Sequence, residues 1–123
     1  MIRIAPGSAV PIYDQIKAGL RGLVAKGLLR PGDEAPSIRA LAVRLSVNPN
    51  TVARAYRELS GEGFFAGRRG EGSVIAAAAE RRARSGFADL KGGLAESVRQ
   101  ARRGGLPWAE IDSVVREAKQ EDP

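Results

Sequence analysis

In "VNPNTVARAYREL", residues 47–59, Asn50, Ala53, Arg54 and Arg57 recur at helical steps on one side, while Val52, Ala55, Tyr56 and Leu59 fall on the other. In a DNA major groove asparagine pairs bidentately with adenine and arginine with guanine. A small residue such as Ala53 lets the backbone approach or meets a thymine methyl. The N-terminus of such a helix also offers free amides to a phosphate. Further along, Arg68 and Arg69 stand beside Gly70 and Gly72, a basic turn able to reach the minor groove or its phosphates. A plainer reading stays open for each group: "NPN" caps any helix well, outward arginines are commonly solvated, and glycines are ordinary turn residues.

Composition narrows the chemistry. The 123 residues include no cysteine and no histidine, so disulfides, thiolate metal sites and imidazole bases are excluded. No glycine motif lies on a strand-to-helix turn where it could cradle a cofactor phosphate, and carboxylates alone make no convincing metal site. Neither an enzyme nor a cofactor or metal is expected. The net charge of +6 favours a polyanionic partner, since clustered Lys and Arg displace counterions condensed on phosphates. The surplus is uneven: residues 1–78 hold 11 Lys/Arg against 6 Asp/Glu, and residues 79–123 hold 9 against 8. Double-stranded DNA bound by the first part is the expected partner. The start, "MIRIAPGSAVPIY", lacks the apolar core of a leader, and no apolar run is long enough to span a bilayer, which predicts a cytoplasmic protein with no membrane partner.

The elements that must position these residues follow from periodicity. Ile12, Ile16, Leu20, Leu23 and Val24 form one face of a first helix running from Pro11 to Lys26. "LLRPGDEAPS" makes a tight connection with room for a two- or three-residue strand. Ser37 caps a short second helix whose inward residues are Ile38, Leu41, Ala42 and Leu45. Asn48 caps a third, from Pro49 to about Glu62. "FFAGRRGEGSVIA" then reads as a β-hairpin with a basic tip. Two helices joined by a tight turn and followed by a hairpin describe a winged helix-turn-helix, in which the second helix of the pair enters the major groove.

Four ordered blocks, "PIYDQI" at 11–16, "LLRPGDEAPSIRALA" at 28–42, "VNPNTVARAYRELSGEGF" at 47–64 and "GEGSVIA" at 70–76, together resemble the DNA-binding domain of the GntR superfamily of bacterial transcription regulators. "VNPNTVARAY" with a short two-helix tail resembles the YtrA subfamily. The resemblance implies a homodimeric repressor on an inverted-repeat operator, often of an ABC-transporter operon. It further implies that Arg39 of "PSIRALA" reaches DNA from the start of the second helix. By the same resemblance Asn48, Asn50 and Thr51 are the polar residues opening the recognition helix, and Arg69-Gly70 is the wing tip. Pro49 and Ala53 stand where many relatives carry arginine. For Arg39 the alternative is a salt bridge to Asp33 or Glu34.

The expected architecture is therefore mainly α with a small β-hairpin. Residues 1–78 form the winged helix-turn-helix domain and residues 79–123 a C-terminal helical hairpin for dimerisation. Phe87, Leu90, Leu94 and Val98 line one tail helix, despite Gly92 and Gly93, which should weaken or bend it. Trp108, Ile111 and Val115 line the other. These stripes want a partner surface, a second copy being favoured over folding back on the winged domain. Arg81, Arg82 and Arg84 would either touch flanking phosphates or be solvated. A small-molecule effector is an open partner: an apolar or aromatic ligand would sit near Trp108, against the plainer reading of Trp108 as core.

Overall fold

The first helix, α1 (Ile12–Ala25), starts after Pro11, whose fixed φ of −55° suits a helix entry. It buries Ile16, Leu20 and Val24 in the core. The computed structural model describes residues 2–68 and 72–121, the side chain of Arg68 excepted. Ahead of α1 the chain doubles back along it. Gln15 fixes this segment by accepting from the Ala5 amide at 2.7 Å and donating to the carbonyls of Ala5 and Val10 at 3.0 and 2.9 Å. Ile2 is thereby seated on Gly19, where a Cβ would lie 2.8 Å from its γ carbons, so only glycine leaves room for it.

Helix α2 (Ile38–Leu45) is capped by Ser37, whose Oγ accepts from the Ala40 amide at 3.1 Å, and ends at Ser46 in a left-handed conformation. Two residues later Asn48 opens α3 (Pro49–Gly61), with Pro49 in its first turn. Val52, Ala55 and Leu59 are fully buried and Tyr56 nearly so, which brings α3 against both α1 and α2. The Tyr56 hydroxyl donates to the Pro36 carbonyl at 2.6 Å, and its ring meets Phe65 edge-on with centroids 5.0 Å apart. The first contact ties α3 to the segment ahead of α2 and the second to the hairpin that follows α3, rather than to another helix.

Strands β1 (Phe65–Arg68) and β2 (Gly72–Ile75) pair antiparallel, Phe65 opposite Ile75 and Arg68 opposite Gly72. A third segment joins the far edge of β2. The Gly32 and Ala35 amides donate to the carbonyls of Ile75 and Ser73 at 2.9 and 3.0 Å, and the Ile75 amide donates to Asp33 O at 2.8 Å. This is the short strand anticipated in "LLRPGDEAPS", reduced to a bridge between Glu34 and Val74.

Helix α4 (Ala79–Ser85) corrects the expected boundary at residue 78, because the compact first unit runs through Ser85. Ala79 and Ala83, one helical turn apart, are buried against α1. Two alanines make too slight a stripe for periodicity to register, and the surrounding arginines hid it. Arg82, expected to be a phosphate contact or simply solvated, lies over Gly63: with φ at +81°, Gly63 would place a Cβ 2.9 Å from the Arg82 Nε.

The second unit, from Gly86 onward, holds α5 (Phe87–Arg103) and α6 (Trp108–Glu121). α5 runs unbroken through Gly92 and Gly93. Phe87, Leu90, Leu94, Trp108 and Val115 are exposed, Leu90 at 68%, whereas Val98 is half-buried. Ile111 is already buried within the single chain and needs no partner to leave water. Trp108 is 56% exposed in the single chain, beneath the Arg102 guanidinium at 4.8 Å. Among the described residues no helix is long and apolar enough to cross a membrane, and no cluster of acidic side chains could hold a metal ion.

Candidate nucleic-acid interface

The outward side of α3 carries Asn50, Arg54 and Arg57, all exposed, with Thr51 and Ala53 half-buried beside them. Arg39, in the first turn of α2, is also exposed and makes no ion pair among the described residues, so the alternative of a bridge to Asp33 or Glu34 is not what forms. Arg57 is likewise without an ion pair among them. Arg68 ends β1, its side chain outside the described residues, as are Arg69 and Gly70 entirely.

The N-terminus of α3 narrows one expectation. Asn48 Oδ1 accepts from the Asn50 amide at 2.8 Å, and Asn48 O accepts from the Thr51 and Val52 amides at 3.0 and 3.4 Å. Pro49 has no amide hydrogen. Of the main-chain donors at this helix start, only the Asn48 amide is left without a partner among the described residues; the cap takes the Asn50 amide that the helix end would also have offered. Asn48 itself retains its main-chain amide and its side-chain NH2 for an outside partner.

Arg54 is the residue whose surroundings the sequence did not disclose. Its Nε donates to Glu58 Oε2 at 3.1 Å, and its guanidinium lies 3.7 Å from the centroid of Tyr13, on α1. Glu58 Oε1 accepts from Lys17 Nζ at 2.8 Å, Lys17 also reaches Glu62 Oε2 at 2.5 Å, and the other Glu62 oxygen meets Arg21, whose guanidinium sits over Phe64. Cations and carboxylates alternate along the seam between α1 and α3, ending in Arg54 at the exposed edge. The i,i+4 spacing of Arg54 and Glu58 was visible in sequence; Tyr13 and Lys17 are brought in by tertiary packing alone.

Titration follows from this seam. The hydrogen bond from Lys17, then that from Arg54, holds the Glu58 carboxyl below its usual range. At Glu62 burial alone would raise it, but bonds from Lys17 and Arg21 outweigh this and lower it. Burial likewise works against charge on Lys17, yet its two carboxylate partners raise it above the ordinary lysine value. Burial pushes Tyr56 up to about 12, which keeps its hydroxyl a donor.

Comparison with known proteins agrees with this geometry. Residues 12–75 match the family described as bacterial regulatory proteins, gntR family. The HTH-type transcriptional repressor YtrA of Bacillus subtilis (strain 168) is 48% identical over 75 residues, 61% of this chain and 58% of that protein, so the likeness spans little more than half of the curated relative. Among solved structures, a transcriptional antiterminator from Listeria monocytogenes EGD-e is 31% identical with a TM-score of 0.67, over 98% of this chain and 91% of the other. YtrA from Sulfolobus acidocaldarius, a GntR-family transcription factor, is 45% identical with a TM-score of 0.58, over 61% of this chain and 79% of the other. With a family match across the two helices and the hairpin, the chain belongs to the gntR family of bacterial regulatory proteins, in its YtrA-like form.

Proposed function

We propose that this chain is a sequence-specific DNA-binding transcription regulator that acts as a homodimeric repressor on an inverted-repeat operator. The observation that carries the reading is the two-sided α3: one face is sealed into the core by Val52, Ala55 and Leu59, and the other leaves Asn50, Arg54 and Arg57 uncovered beside a β-hairpin. In this reading Arg39, Asn50, Thr51 and Arg54 read bases, Arg57 and Arg68 contact phosphate, and Asn48 mainly supports the helix start. Arg69-Gly70 supplies the wing tip. Dimerisation uses the exposed stripe of Phe87, Leu90, Leu94, Trp108 and Val115, with Val98 at its edge, because a single small module rarely reaches operator affinity alone. Control of a transporter-type operon follows from the family resemblance.

The test is selection of bound duplex from a random pool at fixed salt. A palindromic consensus supports the dimeric regulator, and an enriched single half-site supports DNA reading by a monomer. Failure to enrich any sequence, or to hold duplex at ~50 mM salt, would favour a winged-helix module that docks a protein instead. On the enriched duplex, Arg39→Ala should cost about 1–3 kcal/mol of discrimination against random sequence. Arg57→Ala should weaken both duplexes alike and lower the salt slope by about one.

A further inference from the structure

The guanidinium of Arg54 is held from two sides by groups that have no direct need of it. The ring of Tyr13 lies against one face at 3.7 Å, and Glu58 Oε2 receives the Nε hydrogen at 3.1 Å. Neither partner is loose. The other oxygen of Glu58 accepts from Lys17, whose side chain is only 8% exposed and which is anchored again by Glu62. Tyr13 is half-buried in the first turn of α1. Arg54 itself is 54% exposed, and its remaining N–H groups have no acceptor among the described residues.

A free arginine loses much rotamer freedom when it binds, and a stacked, singly bonded one loses less, because its planar fork is already oriented. The carboxylate that orients it would ordinarily repel a phosphate. Here it is flanked by Lys17 and Arg54, so the negative charge is compensated before DNA arrives. Resting on the reading that the outward face of α3 meets DNA, we propose that Tyr13 and Glu58 are positioning residues that preset the Arg54 guanidinium for DNA and so tie α1 to the recognition surface. Tyr13 acts through its ring face and Glu58 through its charge.

The experiment uses the full chain and two duplexes of equal length, the sequence enriched from the random pool and a random-sequence control, with the urea midpoint of every variant recorded alongside. Tyr13→Leu and Glu58→Gln should each weaken binding to the enriched duplex by about 3- to 10-fold, the scale of ordering one long side chain. Tyr13→Phe, which keeps the ring, should bind as the parent does. In an Arg54→Ala background, Tyr13→Leu and Glu58→Gln should add no more than about twofold, the signature of action through Arg54 in a double-mutant cycle. Full additivity in that background would overturn the proposal, since both residues would then act independently of Arg54. Tighter binding by Glu58→Gln would overturn it too, marking Glu58 as a competitor for the arginine. If Arg54→Ala binds both duplexes like the parent, the proposal falls together with the reading of Arg54 as a DNA contact. Loss on Arg54→Ala with parental binding by Tyr13→Leu and Glu58→Gln would remove the positioning role alone.

Discussion

Replacing Lys17 with methionine tests whether the charged seam stabilises the α1–α3 interface or is merely tolerated by it. The ammonium makes two short bonds, 2.8 Å to Glu58 and 2.5 Å to Glu62, from a side chain only 8% exposed. Hydrogen bonds to charged groups contribute about 1.5–3 kcal/mol each, while taking the ammonium out of water costs several kcal/mol. Lys17→Met abolishes both effects and keeps most of the volume. It also strands neither carboxylate, because Glu58 keeps Arg54 and Glu62 keeps Arg21. The net cost should therefore be about 1–2 kcal/mol, below the 3–5 kcal/mol typical when a buried charge loses its only partner. Lys17→Ala should cost about 2–4 kcal/mol, since the lost methylenes leave a cavity. Urea unfolding followed by far-UV circular dichroism reads this as a lower midpoint at unchanged slope.

The same variant has a pH signature with a defined sign. Lys17 is raised above 10.5 in the folded chain, so its contribution is complete below 10.5 and is lost as pH rises through the raised value. Glu58 and Glu62 are lowered, so theirs is present above the ordinary carboxylate value of 4.5 and is lost as pH falls through the lowered ones. Lys17→Met should erase the lysine's share of the alkaline loss and shrink the acid loss without removing it. A methionine variant as stable as the parent, or more so, would refute the reasoning and show that desolvation outweighs the two bonds.

Two other substitutions probe the scaffold. Gly19→Ala adds helix propensity of up to about 1 kcal/mol but displaces Ile2, whose burial contributes about 1.5–3 kcal/mol, so urea should show a net loss near ~1 kcal/mol. In an Ile2→Ala background the same change should turn stabilising; a loss of equal size there would place the strain elsewhere. Tyr56→Phe strips the Pro36 carbonyl of its donor and should lower stability by about 1–2 kcal/mol. It should also flatten that part of the alkaline loss between about 10 and 12 that arises because burial raises the Tyr56 hydroxyl; an unchanged alkaline profile would show that Tyr56 is not its source.

Local rules made much of the winged unit legible. Ser37 and Asn48 start α2 and α3 as their side-chain chemistry requires, and Val52, Ala55, Tyr56 and Leu59 are buried as their spacing demands. Two local rules compete at the start of α3, where the amides could serve a cap or a phosphate: the cap takes that of Asn50 and leaves that of Asn48 open. The sequence was silent where the partner is distant, since nothing near Arg54 announces the ring of Tyr13. In α4 a buried face made only of Ala79 and Ala83 leaves almost no hydrophobic period to detect. For Trp108 aromatic size suggests a core, and the single chain supplies only part of one: its ring is covered on one side by Arg102 and open on the rest.

The bridge between Glu34 and Val74 has a topological consequence. It closes a loop of chain that contains all of α2 and α3, so α3 is not an appendage that can fray from a free end. Both exits from that loop run through the same seam of main-chain bonds, Gly32 and Asp33 to Ile75 on one side and Ala35 to Ser73 on the other. Opening α3 while the longest-range main-chain pairing of the winged unit holds gains less chain entropy than release from a free end, so amide exchange in α3 should follow the unfolding of that whole unit rather than a smaller local fluctuation.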